Sequence, residues 1–145
     1  MTTVNLSKLH TPLYEKVVAL SQAADQAMAD AGLDPKLGEL VKIRVSQING
    51  CAFCLRMHTR DAIAGGESTD RLAVVVAWRE SQYFSTQEQA ALALAEDVTH
   101  LPVPDRHEWD NGALTDEQVS AISWLAIVMN SWNRIAIRSH YPVAP

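Results

Sequence analysis

The stretch "ELVKIRVSQINGCAFCLRMH", Glu39 to His58, contains two helical patterns separated by a stop signal. Its first half carries apolar residues at three-to-four spacing, which is typical of a helix with one buried face. Asn49-Gly50 then interrupt the pattern, because both residues tolerate the left-handed backbone angles that end a helix. A second helix is therefore predicted to begin at or beside Cys51 and to run to about Ala64.

The rest of the chain follows the same period. We find no alternation of apolar and polar residues bounded by turn residues, so the sequence predicts an all-α fold, a single-domain helical bundle of about six helices over residues 1–145. The segment over residues 103–112 is polar and is predicted to be a loop. The other helices are predicted from their caps: Pro12 to Ala31, a helix from Pro35 capped by Asp34, one capped by Ser68 or Thr69, one with a Ser85/Glu88 capping box, and a last one from Thr115 and Gln118.

The last predicted helix, "EQVSAISWLAIVMNSWNRIAI", is apolar on more than one side. Such a helix either lies at the centre of a domain or is buried in an interface between subunits. Both interpretations stay open, and the second leads us to expect a homo-oligomer that assembles through helical faces.

Composition excludes several classes of protein. The chain has 145 residues, of which 48% are hydrophobic and 20% charged, which is the balance of an ordinary globular domain. Its net charge of -5, without a cluster of basic residues, argues against nucleic acid as a partner. The apolar runs fall short of the roughly 20 residues that a membrane span needs. Since the N-terminus has no signal-peptide pattern, we expect a cytoplasmic protein.

Both cysteines of the chain, Cys51 and Cys54, are separated by two residues at the predicted start of a helix. A turn of about 100° per residue places them and His58 within an arc of roughly 60°. The helix N-terminus favours thiolate over thiol, and the i,i+3 spacing permits a disulfide. His58 is correctly spaced to accept the thiol proton of Cys54.

Four interpretations of this cluster compete. A c-type haem site is excluded, because the histidine does not directly follow the second cysteine. A zinc site would need a fourth ligand, and the remaining histidines form no second paired cluster. The pair can also be two buried core cysteines. A thiol–disulfide redox centre accounts best for both the helix-start position and the aligned histidine. Lasting structural disulfides are also rare in the cytosol, so a close pair of cysteines there is more often catalytic or metal-binding.

The residues Glu39, Cys51, Cys54 and His58, in this order and spacing, resemble the signature of the alkylhydroperoxidase D-like and carboxymuconolactone decarboxylase superfamily. The resemblance continues through "GGESTDRLAVVVAWRESQYFSTQEQAALALAEDVT" to "MNSWNRIAI" and covers most of the chain. By itself, Glu39 would more often be a solvated residue or an i,i+3 partner of Lys42.

The resemblance implies an all-helical subunit of a trimer or hexamer that reduces an organic hydroperoxide or hydrogen peroxide. Carried over by position, it implies that Cys54 attacks the peroxide, that Cys51 resolves the sulfenic acid, and that His58 and Glu39 form a proton relay. It implies no metal and no organic cofactor. An external thiol or lipoyl-type reductant would restore the dithiol.

Two departures qualify this expectation. The well-characterised peroxidase of the superfamily carries a histidine where this chain has Phe53, and the decarboxylase branch lacks the cysteine pair, so lactone decarboxylation is not expected. The alternatives are a disulfide reductase or redox sensor with little peroxidase turnover, and a non-catalytic helical oligomer. Five aromatic residues are candidates for a substrate pocket, although core positions are the commoner role: Trp78, Tyr83, Phe84, Trp124 and Trp132.

Overall fold

The computed structural model describes residues 3–102 and 107–145. Over these ranges the chain forms seven α-helices and one 3-10 helix and contains no β-strand, which confirms the all-α prediction. The α-helices are α1 (Leu6–Leu9), α2 (Thr11–Asp30), α3 (Pro35–Asn49), α4 (Ala52–Ala64), α5 (Thr69–Val74), α6 (Thr86–His100) and α7 (Asp116–Arg138), and the 3-10 helix is Val75–Glu80.

The predicted caps set the helix ends. The Asp34 carboxylate accepts a hydrogen bond from the backbone N–H of Lys36 at 2.9 Å, directly before α3. Gly50 ends α3 at a φ of 68°, a left-handed angle that glycine adopts without steric cost. Reciprocal capping boxes start α6, at Ser85 and Glu88, and α7, at Thr115 and Gln118. The boundaries around the cysteine pair thus follow from local sequence.

Helix α7 lies at the centre of the domain. It packs against α2, α3 and α6, and its Ile122, Leu125 and Val128 are almost completely buried. Burying one such side chain contributes about 1.5–3 kcal/mol. Trp124 and Ile127, on another side of the same helix, remain 49% and 42% exposed. The prediction of a central helix is correct, and part of its second apolar face is still uncovered.

Three details differ from the predictions. The short helix α1 was not expected, because four residues carry too little periodicity to be recognised. In α2 the expected apolar side is only partly correct, since Leu13 is 62% exposed whereas Met28 is buried. The helix after Ser68 is broken: α5 gives way to the 3-10 helix, with non-helical angles at Ala77. The run of β-branched valines there lowers helix propensity.

Part of the predicted loop, residues 103–106, lies outside the described residues. In the ranges that the structure describes, no helix has both the length and the apolar character that crossing a bilayer requires.

Candidate redox site

Cys51 and Cys54 form a disulfide at the start of α4, with their Cα atoms 5.4 Å apart. Cys51 is the N-cap residue, and its Sγ accepts the backbone N–H of Cys54 at 3.4 Å. Only 1% of Cys51 and 2% of Cys54 is exposed. Because Gly50 ends α3 one residue earlier, the chain turns and presents both sulfurs at a helix N-terminus, where a thiolate is stabilised.

His58 lies one turn after Cys54 on α4 and is bound to Glu39 of α3. The Nδ1 of His58 is 3.0 Å from Oε2 of Glu39. An ionised carboxylate can only accept a hydrogen bond, so Nδ1 carries the proton, and in the neutral imidazole Nε2 is the basic nitrogen. This arrangement orients a proton acceptor beside the cysteine pair.

Glu39 also belongs to a chain of charges that continues away from His58. The Nζ of Lys42 lies 3.4 Å from Oε1 of Glu39 and 3.0 Å from Oδ1 of Asp25. Burial by itself would raise the pKa of Glu39, but the hydrogen bond from His58 and the charge of Lys42 outweigh it, so the pKa lies below the usual carboxyl value. Burial lowers the pKa of Lys42, but the two carboxylates outweigh this effect and raise it. Glu39 is therefore ionised at neutral pH.

A cavity of about 410 Å³ opens beside Cys54. Its polar side carries His58, Lys42 and Asp25, and most of the remaining lining is apolar or aromatic. Pockets of this size and composition are typical of sites for small organic molecules. The residues that supply the apolar part are Tyr14, Phe53, Met57, Leu125, Val128, Met129, Trp132, Ala136 and Tyr141.

The structure brings together all four of the predicted site residues: the cysteines as a disulfide, and His58 and Glu39 as a hydrogen-bonded pair. The alternative in which Glu39 pairs with Lys42 is also observed, so one carboxylate has both partners. In this oxidised form the sulfurs are bonded to each other and are not available as zinc ligands.

A different trio has the composition of a metal site. Glu39, His58 and Asp61 each place one ligand atom within 4.8 Å of the others. Lys42 already contacts Glu39, however, and an ammonium group beside the carboxylate opposes the binding of a cation. Asp61 is also mostly exposed. The geometry therefore favours a proton relay over a metal centre.

Of the five aromatic candidates for the pocket, Trp132 lines this cavity. Its ring packs edge-on against Tyr14, with centroids 5.4 Å apart, and its Nε1 donates to Ser21 Oγ. Trp78 and Phe84 are buried in a separate core cluster, while Tyr83 and Trp124 are each 49% exposed.

Sequence reasoning missed Tyr14, Phe53 and Tyr141 as parts of the pocket. Phe53 and Tyr141 pack edge-on with centroids 5.0 Å apart and form one wall. Phe53 had a signal, since it directly precedes Cys54, on which the pocket opens. Tyr141 had none, because it follows the last helix and reaches the site only through the return of the C-terminal segment.

The comparisons with known proteins identify the family. The family model for the carboxymuconolactone decarboxylase family matches residues 13–97. The uncharacterized protein YdfG of Bacillus subtilis (strain 168) is 44% identical over 108 residues, which is 68% of this chain and 70% of YdfG. The uncharacterized protein YnjA of Escherichia coli (strain K12) is 36% identical over 70 residues, 48% of this chain and 38% of YnjA.

A solved structure has the same fold. It is the crystal structure of a protein of unknown function from Agrobacterium tumefaciens, proposed to be the antioxidant defence protein AhpD. It superposes with a TM-score of 0.85 at 33% identity, and the match covers 99% of this chain and 100% of that one. With the matched family model, these findings establish that the chain belongs to the carboxymuconolactone decarboxylase family, within the carboxymuconolactone decarboxylase/AhpD-like superfamily.

Proposed function

We propose that the protein is a thiol-dependent hydroperoxide reductase. The observation that supports this proposal most directly is the position of Cys54: it shares a cavity with His58, whose Nδ1 is hydrogen-bonded to Glu39, and it is one disulfide bond away from Cys51. Nucleophile, base, orienting carboxylate and resolving thiol are thus within one small region of α3 and α4.

In the reduced protein, Nε2 of His58 takes the proton of the Cys54 thiol. The thiolate attacks the terminal oxygen of the hydroperoxide, the O–O bond breaks, and the alkoxide leaves as ROH with a proton from the imidazolium. The Cys54 sulfenic acid is attacked by the thiol of Cys51, which forms the disulfide and releases water. The sum is ROOH plus two thiols giving ROH, water and one disulfide.

The assignment of the two cysteines rests on their surroundings. Cys54 lines the 410 Å³ cavity and Cys51 does not, so a molecule in that cavity meets Cys54 first. Cys51 lies one turn away and is close enough to bond to Cys54 without a change in helix position. A resolving thiol this near captures the sulfenic acid before further oxidation.

The lining of the cavity favours an organic hydroperoxide over hydrogen peroxide. Its aromatic and aliphatic side chains bind an apolar group through burial of surface, which hydrogen peroxide does not offer. We therefore expect cumene hydroperoxide to react at least ten times faster than hydrogen peroxide, a difference of about 1.4 kcal/mol in barrier. Equal rates would show that the cavity does not select the substrate.

One experiment tests the function. Free thiols of the reduced protein are counted before and after a stoichiometric addition of cumene hydroperoxide, in the wild type and in Cys54→Ser and Cys51→Ser. The proposal requires the loss of two thiols in the wild type, no loss in Cys54→Ser, and a sulfenic acid that dimedone traps in Cys51→Ser. Unchanged thiols in the wild type would contradict it.

We also propose that the subunit forms a homo-oligomer through its exposed apolar residues. Leu9 and Leu13 near the start of α2 are 65% and 62% exposed, and Trp124 on α7 is 49% exposed. Exposed apolar side chains gathered on helical faces are typical of subunit interfaces. Light scattering combined with size-exclusion chromatography distinguishes trimer, hexamer and monomer.

A further inference from the structure

The two sulfurs of the disulfide belong to different cavities. Cys54 lines the 410 Å³ cavity, whereas Cys51 lines a second one of about 220 Å³. Phe53, Ala136 and Tyr141 line both cavities and so form the partition between them. The rest of the second cavity is lined by Gly50, Ala52, Ile137, His140 and Val143. Each cysteine of the disulfide therefore borders a different cavity.

The C-terminal segment after α7 forms the outer wall of the second cavity, and it is firmly attached. Ser139 Oγ accepts the N–H of Leu6 at 3.0 Å, and the Tyr141 hydroxyl is 2.7 Å from Ser7 Oγ. Arg56 of α4 donates to the carbonyl of Ala144 at 2.7 Å. These bonds hold the segment across the start of α4, so the second cavity is a defined feature of the folded chain.

We propose that the thiol that reduces the Cys51–Cys54 disulfide enters through the second cavity and attacks Sγ of Cys51. A thiolate attacks a disulfide along the S–S axis, from the far side of the sulfur that it attacks. For attack on Cys51, that side is the one away from Cys54, and of these two cavities the second is the one that borders Cys51 without bordering Cys54. This inference rests on the proposed function in one respect: hydroperoxide reduction is the step that would form the disulfide in a catalytic cycle.

The electrons and atoms balance over two exchanges. The entering thiolate forms a bond to Cys51 Sγ, the S–S bond breaks, and Cys54 leaves with the electron pair as a thiolate. A second thiol of the reductant then attacks the mixed disulfide, leaves as part of the oxidised reductant, and releases the Cys51 thiolate, which takes up a proton. The dithiol reductant is oxidised to its disulfide, and the protein regains two thiols.

Cys54 is the better leaving group of the two. It shares its cavity with His58, whose Nδ1 is held by Glu39, and a protonated His58 stabilises the departing thiolate. A sulfur with a more stable thiolate leaves faster in thiol–disulfide exchange. Attack on Cys51 also regenerates the Cys54 thiolate inside the cavity where the hydroperoxide binds.

The dimensions of the second cavity select the class of reductant. With Cys51 only 1% exposed and a space of about 220 Å³, it admits a thiol on a slender carrier and not the face of a folded protein. Ile137 and Val143 suit an alkyl chain, and the imidazole of His140 is positioned in the lining to take the proton of the entering thiol. The second cavity therefore suits a small alkyl thiol.

The first test blocks each cavity at an exposed position. Val143 and Met57 are 43% and 41% exposed and line the second and the first cavity, respectively, while Val76 is 60% exposed and lines neither. The oxidised forms of Val143→Trp, Met57→Trp and Val76→Trp are mixed with dithiothreitol, and the appearance of free thiols is timed. We expect Val143→Trp to slow reduction at least tenfold more than Met57→Trp does, with Val76→Trp at the wild-type rate.

Equal slowing in the two cavity variants, stronger slowing in Met57→Trp, or no slowing in either would each overturn the proposal. Circular dichroism spectra of all three variants check that each fold is retained. No hydroperoxide enters this experiment, so it gives its answer whether or not the protein reduces peroxides.

The second test identifies the attacked sulfur. The oxidised wild type is treated with the monothiol 2-mercaptoethanol, quenched in acid, alkylated with N-ethylmaleimide and sequenced by tandem mass spectrometry. The proposal predicts mercaptoethanol on Cys51 and maleimide on Cys54. The reverse pattern, or an equal mixture, would overturn it. Replacing 2-mercaptoethanol by reduced thioredoxin tests a protein reductant, for which we expect reduction at least tenfold slower than with dithiothreitol.

Discussion

The Nδ1 of His58 on α4 lies 3.0 Å from Oε2 of Glu39 on α3, so two helices that are joined by a tight turn are also joined by a polar contact next to the disulfide. The carboxylate fixes which ring nitrogen carries the proton, and it stabilises the imidazolium that forms when a thiol proton is taken up. It thereby links Glu39 of α3 to the chemistry at the start of α4.

Replacing Glu39 by glutamine tests this link. Glu39→Gln keeps the shape of the side chain but removes the charge, so the imidazolium of His58 loses its stabilising partner. We expect the rate of thiol loss with cumene hydroperoxide to fall about 10- to 100-fold, at or below the lower end of the roughly 10²–10⁴-fold that general acid–base catalysis contributes, because the imidazole itself remains. Stopped-flow measurements give the rate, and an exposed-site control, Glu15→Gln, keeps the wild-type value. An unaffected rate in Glu39→Gln removes this residue from the mechanism.

Lys42 is expected to set the pH at which the relay works. In Lys42→Met the positive charge is lost, so one of the contacts that oppose the effect of burial is removed and the pKa of Glu39 rises. The acid limb of the pH–rate profile then moves to higher pH, because the carboxylate becomes protonated earlier as the pH falls. Carbon-13 NMR of the Glu39 carboxyl group follows the titration directly. Lys42→Arg retains the charge, so an equal shift in that variant would contradict the assignment.

Acid should unfold the protein through its paired carboxyl groups. The pKa values of Glu39, Glu88 and Glu96 are all lowered; burial raises each, but ion pairs and hydrogen bonds outweigh it. A carboxyl group with a depressed pKa in the folded state contributes stability above its unfolded value of 4.5, and this stability is lost as the pH falls through the folded value. We expect Tm to be flat at neutral pH and to decrease steadily below pH 4.5. Calorimetry across this range measures it, and a Tm that rises below this pH would contradict the assignment.

A buried polar contact ties α7 to α3. Asn133 is 0% exposed, donates to Ser46 Oγ at 3.0 Å, and accepts from Asn49 Nδ2 at 3.0 Å. Asn133→Ala removes a partner from both groups, and we expect it to lower the free energy of unfolding by about 2–3 kcal/mol. Urea denaturation measures the loss. Ser120→Ala, at an exposed position of the same helix, should change stability by less than about 0.5 kcal/mol.

Gly50 is required for its backbone angle and not for space. Its φ is 68°, and no atom of a residue beyond its two chain neighbours lies within 4 Å of the position that a Cβ would occupy. Gly50→Ala should therefore destabilise the protein by about 1–2 kcal/mol through backbone strain alone. Gly50→Asn should cost less, because asparagine tolerates left-handed angles. Equal costs for both variants, measured by urea denaturation, would show that the angle is not the cause.

Local signals explain why most helix boundaries were predictable from the sequence. Asp34, Ser85 and Thr115 were correctly identified as caps, because a cap depends only on residues within one turn of it. The alignment of Cys51, Cys54 and His58 was equally predictable, since it follows from the helical period.

Other features depend on contacts between distant parts of the chain. Tyr141 reaches the pocket only because the C-terminal segment is bonded to α1 and α4, and no local pattern encodes that return. The link from Lys42 to Asp25 joins α3 to α2. The exposure of Leu13 likewise depends on which surfaces the neighbouring helices leave uncovered.

The role of Cys51 as an N-cap couples oxidation state to backbone stability. Its sulfur accepts the N–H of Cys54 in the oxidised protein, and reduction frees the Cys51 side chain to rotate away from this N–H. Hydrogen exchange at the Cys54 amide should thus become faster when the pair is reduced, which gives a backbone signal of the redox state without any added label. Cys51→Ser preserves an acceptor at the cap, whereas Cys51→Ala removes it. Cys51→Ser therefore removes the chemistry of the thiol while it keeps the cap of α4.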